Sequence, residues 1–496
     1  VRDELSQKLA QDYGYPVTQH CTPAAVFLNG EYYGYSWVHE NYNEDYLATY
    51  FGGNKDNYEI VSNIEDADEG SERALEDYGK LYAYYDRDLT DDSTFAEYCG
   101  LVDIDNLVQY YCMQVFIANK DWPGNNYKAF RYYPSEGEEI TSEFQDGRWR
   151  FMFFDAEYAW SLYGDRPNAD TLRDLLSGTH MSGESKALIA LLAREDMREK
   201  FAATMSDLTA NAFEKNHILE TLDELCAMSD SEQFYALDKG ITSEWANRET
   251  FANSRQQIRD FADIREYVVF RNMYKLFEWE KNTYTVSVTG AGGAVTTLNT
   301  QKRNGRGILS AEYNCKCTVP LKAEIADGWE FVSWEINGVT YDTPEVELNA
   351  RTAGTDGRII AKLNTKLSET TDAPLQIKEI STAKKAGYIV LYNPNSTEVS
   401  TAGLYITDKP EKLDRWEIPA RSVPAYGELL IVTDNNKTES ALHQLQANFS
   451  LKKGETLILS DKGGNILAEV PVPDIPEGSV YAFQDYGQYR AVPSAD

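Results

Sequence analysis

The apolar residues of this 496-residue chain change their repeat once, near residue 280, and that change divides what the chain can fold into. Before it, Lys186 to Met205 sets Leu188, Ile189, Leu191, Leu192, Met197 and Phe201 on one stripe of a helix. Ala252 to Leu276 does the same through Ile258, Phe261, Ile264, Tyr267, Val268 and Phe270. After it, Tyr284-Thr-Val-Ser-Val alternates apolar with polar, Gly290 to Gly293 forms a turn cluster, and short strands follow to about Leu363. Asn364 to Ala373 is polar and without period, which predicts a linker, and from Pro374 onward come more short strands with Gly, Pro and Asn turns. The expected fold class is multidomain α+β: a mixed domain over 1–278, a small all-β domain over 283–363, and a second all-β domain of sandwich type over 374–496. Three domains also suit the length, at ~100 to 200 residues each.

Charge narrows the partners. With 47 Lys+Arg against 80 Asp+Glu, the net of -33 repels nucleic-acid phosphates and anionic lipid heads, and no basic patch offsets it. No nucleic-acid partner is expected. No apolar run reaches the roughly 18 residues of a membrane helix, so no transmembrane segment is expected either. Six cysteines are too few for a disulfide-built scaffold, and five scattered histidines leave no Cys/His zinc site. Metal chemistry would then fall to carboxylates and to hard ions such as Mg²⁺ or Ca²⁺.

The stretch most suited to chemistry is IANKDWPGNNYKAFRYY, which places Asp121 and Asn126 five residues apart after an apolar helix from Leu107 to Ala118. Downstream, the apolar strand Trp149 to Phe154 ends in Asp155, within FMFFDAEYAW. Phosphoryl transfer needs a carboxylate to orient the attacking hydroxyl, an amide oxygen for one Mg²⁺, and another carboxylate to hold metal against the phosphates. Protein kinases use Asp, Asn five residues on, and a later Asp, in this order. Asp121 is the candidate base, and Asn126 and Asp155 are candidate Mg²⁺ ligands. Glu157 is a further candidate ligand if the strand continues past Asp155, since period two would put both carboxylates on one face. Earlier, AAVFLNGEYYGYSWVHENYNEDYL predicts a β-hairpin turning at Asn29-Gly30, with Glu40 at the end of its second strand as a candidate for the nucleotide-binding edge. Serine-hydrolase, P-loop and zinc-protease signatures are absent. A glycosidase would draw its acid and base from opposite sides of a sugar, which Asp155 and Glu157 on one strand do not provide.

These blocks resemble the CotH family, the spore-coat-protein-H-like atypical protein kinases. The matching motifs are LNGEYYGYSWVHE from Leu28 to Glu40, NKDWPGNNY from Asn119 to Tyr127, and FFDAE from Phe153 to Glu157; the helices around SKALIALLAREDMREKFAATMSDL fit as well. The resemblance covers about residues 1 to 278. It implies a protein-kinase-like fold that uses ATP and Mg²⁺ to phosphorylate protein serines, with Asp121 as the catalytic-loop Asp, Asn126 as the loop Asn and Asp155 as the metal-binding Asp. Glu157 stands where the family pattern has a second Asp. The opening VRDELSQKLAQDYG resembles a helix inside the family domain, so strands bearing a phosphate-clamping Lys are expected upstream of this chain. Without such a cation a dry site forfeits on the order of 3 kcal/mol, a hundredfold or more in rate, so the resemblance implies a kinase whose activity in a fragment of this extent depends on those strands.

The block from Tyr284 to Leu363 resembles bacterial surface repeats through GWEFVSW, Gly328 to Trp334. The C-terminal block resembles the lamin-tail domain, an immunoglobulin-like sandwich, through IKEI, YIVLYNP, AGLYITD, RWEIP and LKKGETLILSDKGGN, with Val390 in place of the family's usual Glu. These companions imply an extracellular or cell-surface bacterial protein. The expected function is an atypical serine kinase acting on a protein substrate, with cell-wall or extracellular partners for the β domains. The alternative is a surface adhesion protein whose kinase-like domain no longer acts.

Overall fold

The computed structural model describes the chain apart from residues 63–65, 70, 163–166, 178–182, 244–245, 306, 327–328, 368–374, 384–386, 434–444, 465, 477, 484–488 and 494–496. It opens with helix α1 (Arg2–Tyr13), stopped by Gly14 at φ 90°, a left-handed conformation that glycine adopts without a Cβ penalty. The expected hairpin follows as β1 (Cys21–Leu28) and β2 (Glu31–His39), turning at Asn29 and Gly30 with φ 52° and 85°. Helix α2 (Glu44–Phe51) starts at Asn43, whose side chain accepts the Tyr46 N–H. A four-stranded antiparallel sheet orders its strands β4-β3-β5-β6 from β3 (Tyr58–Ser62), β4 (Asp66–Glu69), β5 (Lys128–Tyr132) and β6 (Arg150–Met152). Between β4 and β5 run α3 (Glu72–Ala83), α4 (Asp92–Cys99) and the apolar helix α5 (Ile104–Ile117).

Helix α5 carries the domain's core. Asp103 caps it by accepting the Asp105 and Asn106 N–H groups, and Leu107, Val108, Val115, Phe116 and Ile117 are buried along it. Around it pack α6 (Thr171–Leu176), α7 (Gly183–Leu192), α8 (Glu195–Ala210), α9 (Lys215–Asp238) and α10 (Arg248–Phe277). The sequence reads Lys186 to Met205 as one helix, but it is two. Arg194 between them is extended, at φ -82° and ψ 139°, and its guanidinium donates to Asp196 and across to Asp92 and the Leu89 carbonyl.

The next strands form two sheets. One is ordered β10-β7-β15-β12-β13, from β7 (Thr283–Thr289), β10 (Ile308–Asn314), β12 (Trp329–Ile336), β13 (Val339–Tyr341) and β15 (Arg358–Leu367), with β7 and β15 parallel. The other is ordered β14-β11-β8-β9, from β8 (Ala294–Leu298), β9 (Gln301–Asn304), β11 (Val319–Ile325) and β14 (Glu345–Leu348). Strand β15 runs on to Leu367, into the stretch read as linker; residues 368–373 of that stretch, and Gly328 of GWEFVSW, lie outside the described residues. The C-terminal strands form further sheets, a six-stranded and a four-stranded one sharing a separate apolar core that includes Ile377, Ile389, Ile406, Ile431 and Leu459.

The first β module is not hung on the helical domain by its linker alone. One apolar cluster runs through both, from Leu5 to Leu363. At the seam Asp207 of α8 is fully buried, and its carboxylate accepts five hydrogen bonds. Oδ2 takes Asn299 Nδ2 (2.6 Å), Thr300 N (2.9 Å) and Thr300 Oγ1 (2.7 Å), while Oδ1 takes Gln301 Nε2 (3.0 Å) and the Tyr313 hydroxyl (2.5 Å). Burial pushes the Asp207 pKa up and these donors pull it back. Removing the acceptor strands several buried donors, each worth ~1 to 3 kcal/mol. Asp207→Ala is therefore expected to lower the melting temperature of the helical domain and first β module by several degrees, with Asp207→Asn losing less. A fragment ending at residue 281 should expose the shared core and aggregate; calorimetry and light scattering check both outcomes.

Candidate active site

The Asp121 loop grows out of the end of α5. Ala118 turns the chain with φ 53°, and Asn119, buried to 2 % exposure, then fixes the loop. Its Oδ1 accepts the Asp121 N–H (3.2 Å), its Nδ2 donates to Gln114 Oε1 (3.1 Å), and its own N–H reaches the Gln114 carbonyl (3.3 Å). Asp121 in turn accepts, at Oδ2, a hydrogen bond from Asn126 Nδ2 (2.9 Å). Asn126 sits at φ 55°, and its amide oxygen remains for a cation.

The Asp155 segment is tied to this loop through backbone. The Lys120 N–H donates to the Tyr158 carbonyl (3.1 Å) and the Trp160 N–H to the Ile117 carbonyl (3.0 Å). From the other side α1 holds the same segment. Gln7 Nε2 and the Tyr42 hydroxyl donate to the Phe153 carbonyl, Ser6 Oγ accepts Trp160 Nε1 (2.8 Å), and Asp3 Oδ1 accepts the Ala156 N–H (2.8 Å). Left-handed backbone gathers here: Ala118, Asn126, Asp155 (φ 48°), Trp160 and Ser161 all have positive φ, a conformation that costs non-glycine residues energy and that clusters at functional sites.

Glu157 does not lie on a continuation of the strand that leads to Asp155. Strand β6 ends at Met152, and the left-handed turn at Asp155 breaks any period-two continuation. Glu157 nonetheless lies within electrostatic reach of Asp155 and Asp121. Its pKa is raised by burial, then by the Asp155 charge, with Glu4 and Asp121 adding smaller pushes. The Asp155 carboxyl is likewise raised by burial and then by Asp121. The side chains of Asp121, Asn126, Asp155 and Glu157 thus share one neighbourhood. Glu40 does not visibly join them. Its carboxylate accepts the His20 N–H (2.8 Å) and the Tyr50 hydroxyl (2.6 Å), which closes the hairpin onto α2, and among the described residues no hydrogen bond or ion pair links it to Asp121 or Asp155.

Sequence reasoning missed Asn119 and Asp3. A buried amide one turn past a helix was legible only as part of a motif, and an acidic residue in the first turn of a helix reads as a partner of the helix dipole. Asp3 is instead largely enclosed, its pKa raised by burial and by Glu4 and Asp155, and lowered by the Ala156 N–H and His39.

Among the described residues, no three His, Cys, Asp or Glu side chains stand close enough together to form a metal cage. Mg²⁺ seldom uses one: it is held by one or two carboxylates and by substrate phosphates, and keeps waters. An all-oxygen set of two mutually repelling carboxylates beside an amide oxygen fits such an ion.

The fold and this loop-and-turn pair define a kinase-like domain. Residues 1–269 match the family model of the CotH kinase protein, more than half of the chain, and the chain belongs to the CotH kinase family. No curated protein matches it. The membership carries a kinase-like function and the use of ATP. Among the described residues, no helix is long and apolar enough to cross a membrane.

Because the folded-state pKa values of Asp155 and Glu157 lie above their unfolded values, their ionised forms oppose folding, and stability falls as pH rises from about 4 through the raised values. Asp155→Asn is expected to melt about 1 to 3 °C higher than the parent at pH 7, the effect shrinking to nothing below about pH 4. Added Mg²⁺ should raise the parent's melting temperature more than the variant's. A variant that melts lower at pH 7 and equally at pH 4 would contradict the electrostatic account.

Proposed function

We propose that this chain carries an atypical protein kinase that transfers the γ-phosphate of ATP to a serine hydroxyl of a protein substrate. The observation that carries this reading is the Asp121–Asn126 hydrogen bond, set within electrostatic reach of Asp155 inside the family-matched region. Asp121 orients the serine hydroxyl and takes its proton as the oxygen attacks phosphorus and the bond to the ADP oxygen breaks. Asn126 Oδ1 and the Asp155 carboxylate would hold Mg²⁺, with Glu157 as an outer carboxylate. Bound there, the ion would neutralise charge on the β- and γ-phosphates. Asn126 Nδ2 keeps one Asp121 oxygen engaged, which leaves the other oxygen for the hydroxyl. Glu40 would act at the nucleotide edge through the hairpin it closes rather than beside the metal.

The β modules and the motif company support placing this kinase outside a bacterial cell or on its surface, acting on a cell-wall or extracellular protein. The module edges would be 283–363 for the surface repeat and 374–496 for a lamin-tail-like, immunoglobulin-type sandwich.

Radiolabelled ATP transfer by the full-length protein tests the chemistry. Asp155→Ala and Asp121→Ala should each lower phosphoserine formation by a hundredfold or more, in line with the ~10² to 10⁴ carried by a positioned base, with Asn126→Ala losing less. Equal incorporation by parent and Asp155→Ala would reject the assignment. No nucleotide binding by calorimetry, together with adhesion to a wall component, would instead favour a surface-binding protein with a degenerate kinase-like domain.

A further inference from the structure

Helix α10 carries a side chain that the phosphotransfer scheme does not use. Arg265 is 1 % exposed, and every acceptor around its guanidinium is neutral. Nε donates to the Phe116 carbonyl (2.6 Å), and Nη2 to the Val115 carbonyl (2.6 Å) and Thr171 Oγ1 (3.1 Å). Nη1 donates to the Ala169 carbonyl (2.8 Å) and the Pro167 carbonyl (3.3 Å). Those five bonds match the five N–H groups of a guanidinium. Among the described residues it has no carboxylate in ion-pair range; the Phe261 ring lies 5.1 Å from its central carbon.

A buried charge with no carboxylate hydrogen-bonded to it among the described residues, and only Asp170 within electrostatic reach, is costly, so the fold must return something for it. The places it touches say what. Val115 and Phe116 are in the last turn of α5, whose final carbonyls lack helical partners and whose last turn has no basic residue of its own. A cation there satisfies the Phe116 carbonyl, adds a donor to the Val115 carbonyl beside the Ala118 N–H, and opposes the negative end of the helix dipole. Directly after that turn come Ala118, Asn119 and Asp121. Pro167, Ala169 and Thr171 lie at the entry to α6. Burial draws the Arg265 pKa down to about 9, and the group stays charged at neutral pH.

We infer that Arg265 is a positioning residue of the phosphotransfer site: one guanidinium locks the helix end that launches the Asp121 loop against residues 167–171 at the entry to α6, and so fixes the base to which the Trp160 N–H ties the Asp155 turn. The inference rests on the kinase reading for its catalytic consequence, not for its geometry. Lys cannot replace the fork. A point-charge ammonium has three donors and cannot span both segments in one plane.

The test uses the full-length protein and Arg265→Lys, with ATP transfer measured per folded molecule well below each melting temperature. The expected result is a kcat at least tenfold lower with the KM for ATP within about threefold, a split that a loss of stability alone would not produce. Unchanged kcat per folded molecule overturns the inference. Hydrogen exchange provides a second readout that needs no activity. In Arg265→Lys the amides of residues 118–122 and 156–161 should exchange at least tenfold faster, with those of α9 unchanged; unaltered exchange in both loops also overturns it. Should Arg265→Lys fail to fold, Thr171→Val, which removes one acceptor, is read by the same two assays: kcat about threefold lower with faster loop exchange supports the inference, and no change in either overturns it. If the parent transfers no phosphate and Asp155→Ala behaves identically, the kinase reading fails by itself, and loop exchange still decides the role of Arg265.

Discussion

Two backbone hydrogen bonds, from Trp160 to the Ile117 carbonyl and from Lys120 to the Tyr158 carbonyl, hold the end of α5 against the turn that carries Asp155. Side chains are attached to that cross-tie, not the reverse. Asp121 and Asn126 sit on one of its arms and Asp155 and Glu157 on the other, so main-chain geometry sets their spacing and the side chains packed around it hold that geometry in place. The surrounding layers serve it. Asn119 and Gln114 fix the first arm from within, Asp3, Ser6 and Gln7 of α1 grip the second, and Arg265 holds the end of α5 from behind.

Such rigidity is what an acidic site requires. Asp155 faces the charges of Asp3, Asp121 and Glu157 in partly dehydrated surroundings, and a flexible scaffold would let them move apart. Held in place, they form a region of negative potential, and the local opposition to folding has its source in this enforced crowding.

Much of this was legible in the sequence, and the limits follow physical lines. Periodicity found α10, which has one stripe against the core; α5, buried almost all round, showed as an apolar run, and the hairpin showed through its Asn29-Gly30 turn. The motif spacing marked Asp121, Asn126 and Asp155. Periodicity could not show the left-handed turn at Asp155, since the strand rule has no term for a residue that leaves the strand, and Glu157 was therefore placed near its neighbours by the wrong geometry. It also ran α7 and α8 together, because the break at Arg194 depends on contacts with Asp92 and Leu89 a hundred residues away. Arg265 and Asp207 were invisible for a related reason: a single charged residue on a helix reads as solvated surface until the element packed over it is known.

The seam at Asp207 bears on how such proteins diversify. The family match ends at residue 269, before α10 has finished at Phe277, whereas the five donors that satisfy Asp207 all come from residues 299 to 313. Gene rearrangement that exchanged the following module as a free cassette would leave an anionic socket with no lining. A replacement for that module would have to carry the Asn299–Gln301 turn and Tyr313 along, or α8 would have to be rewritten.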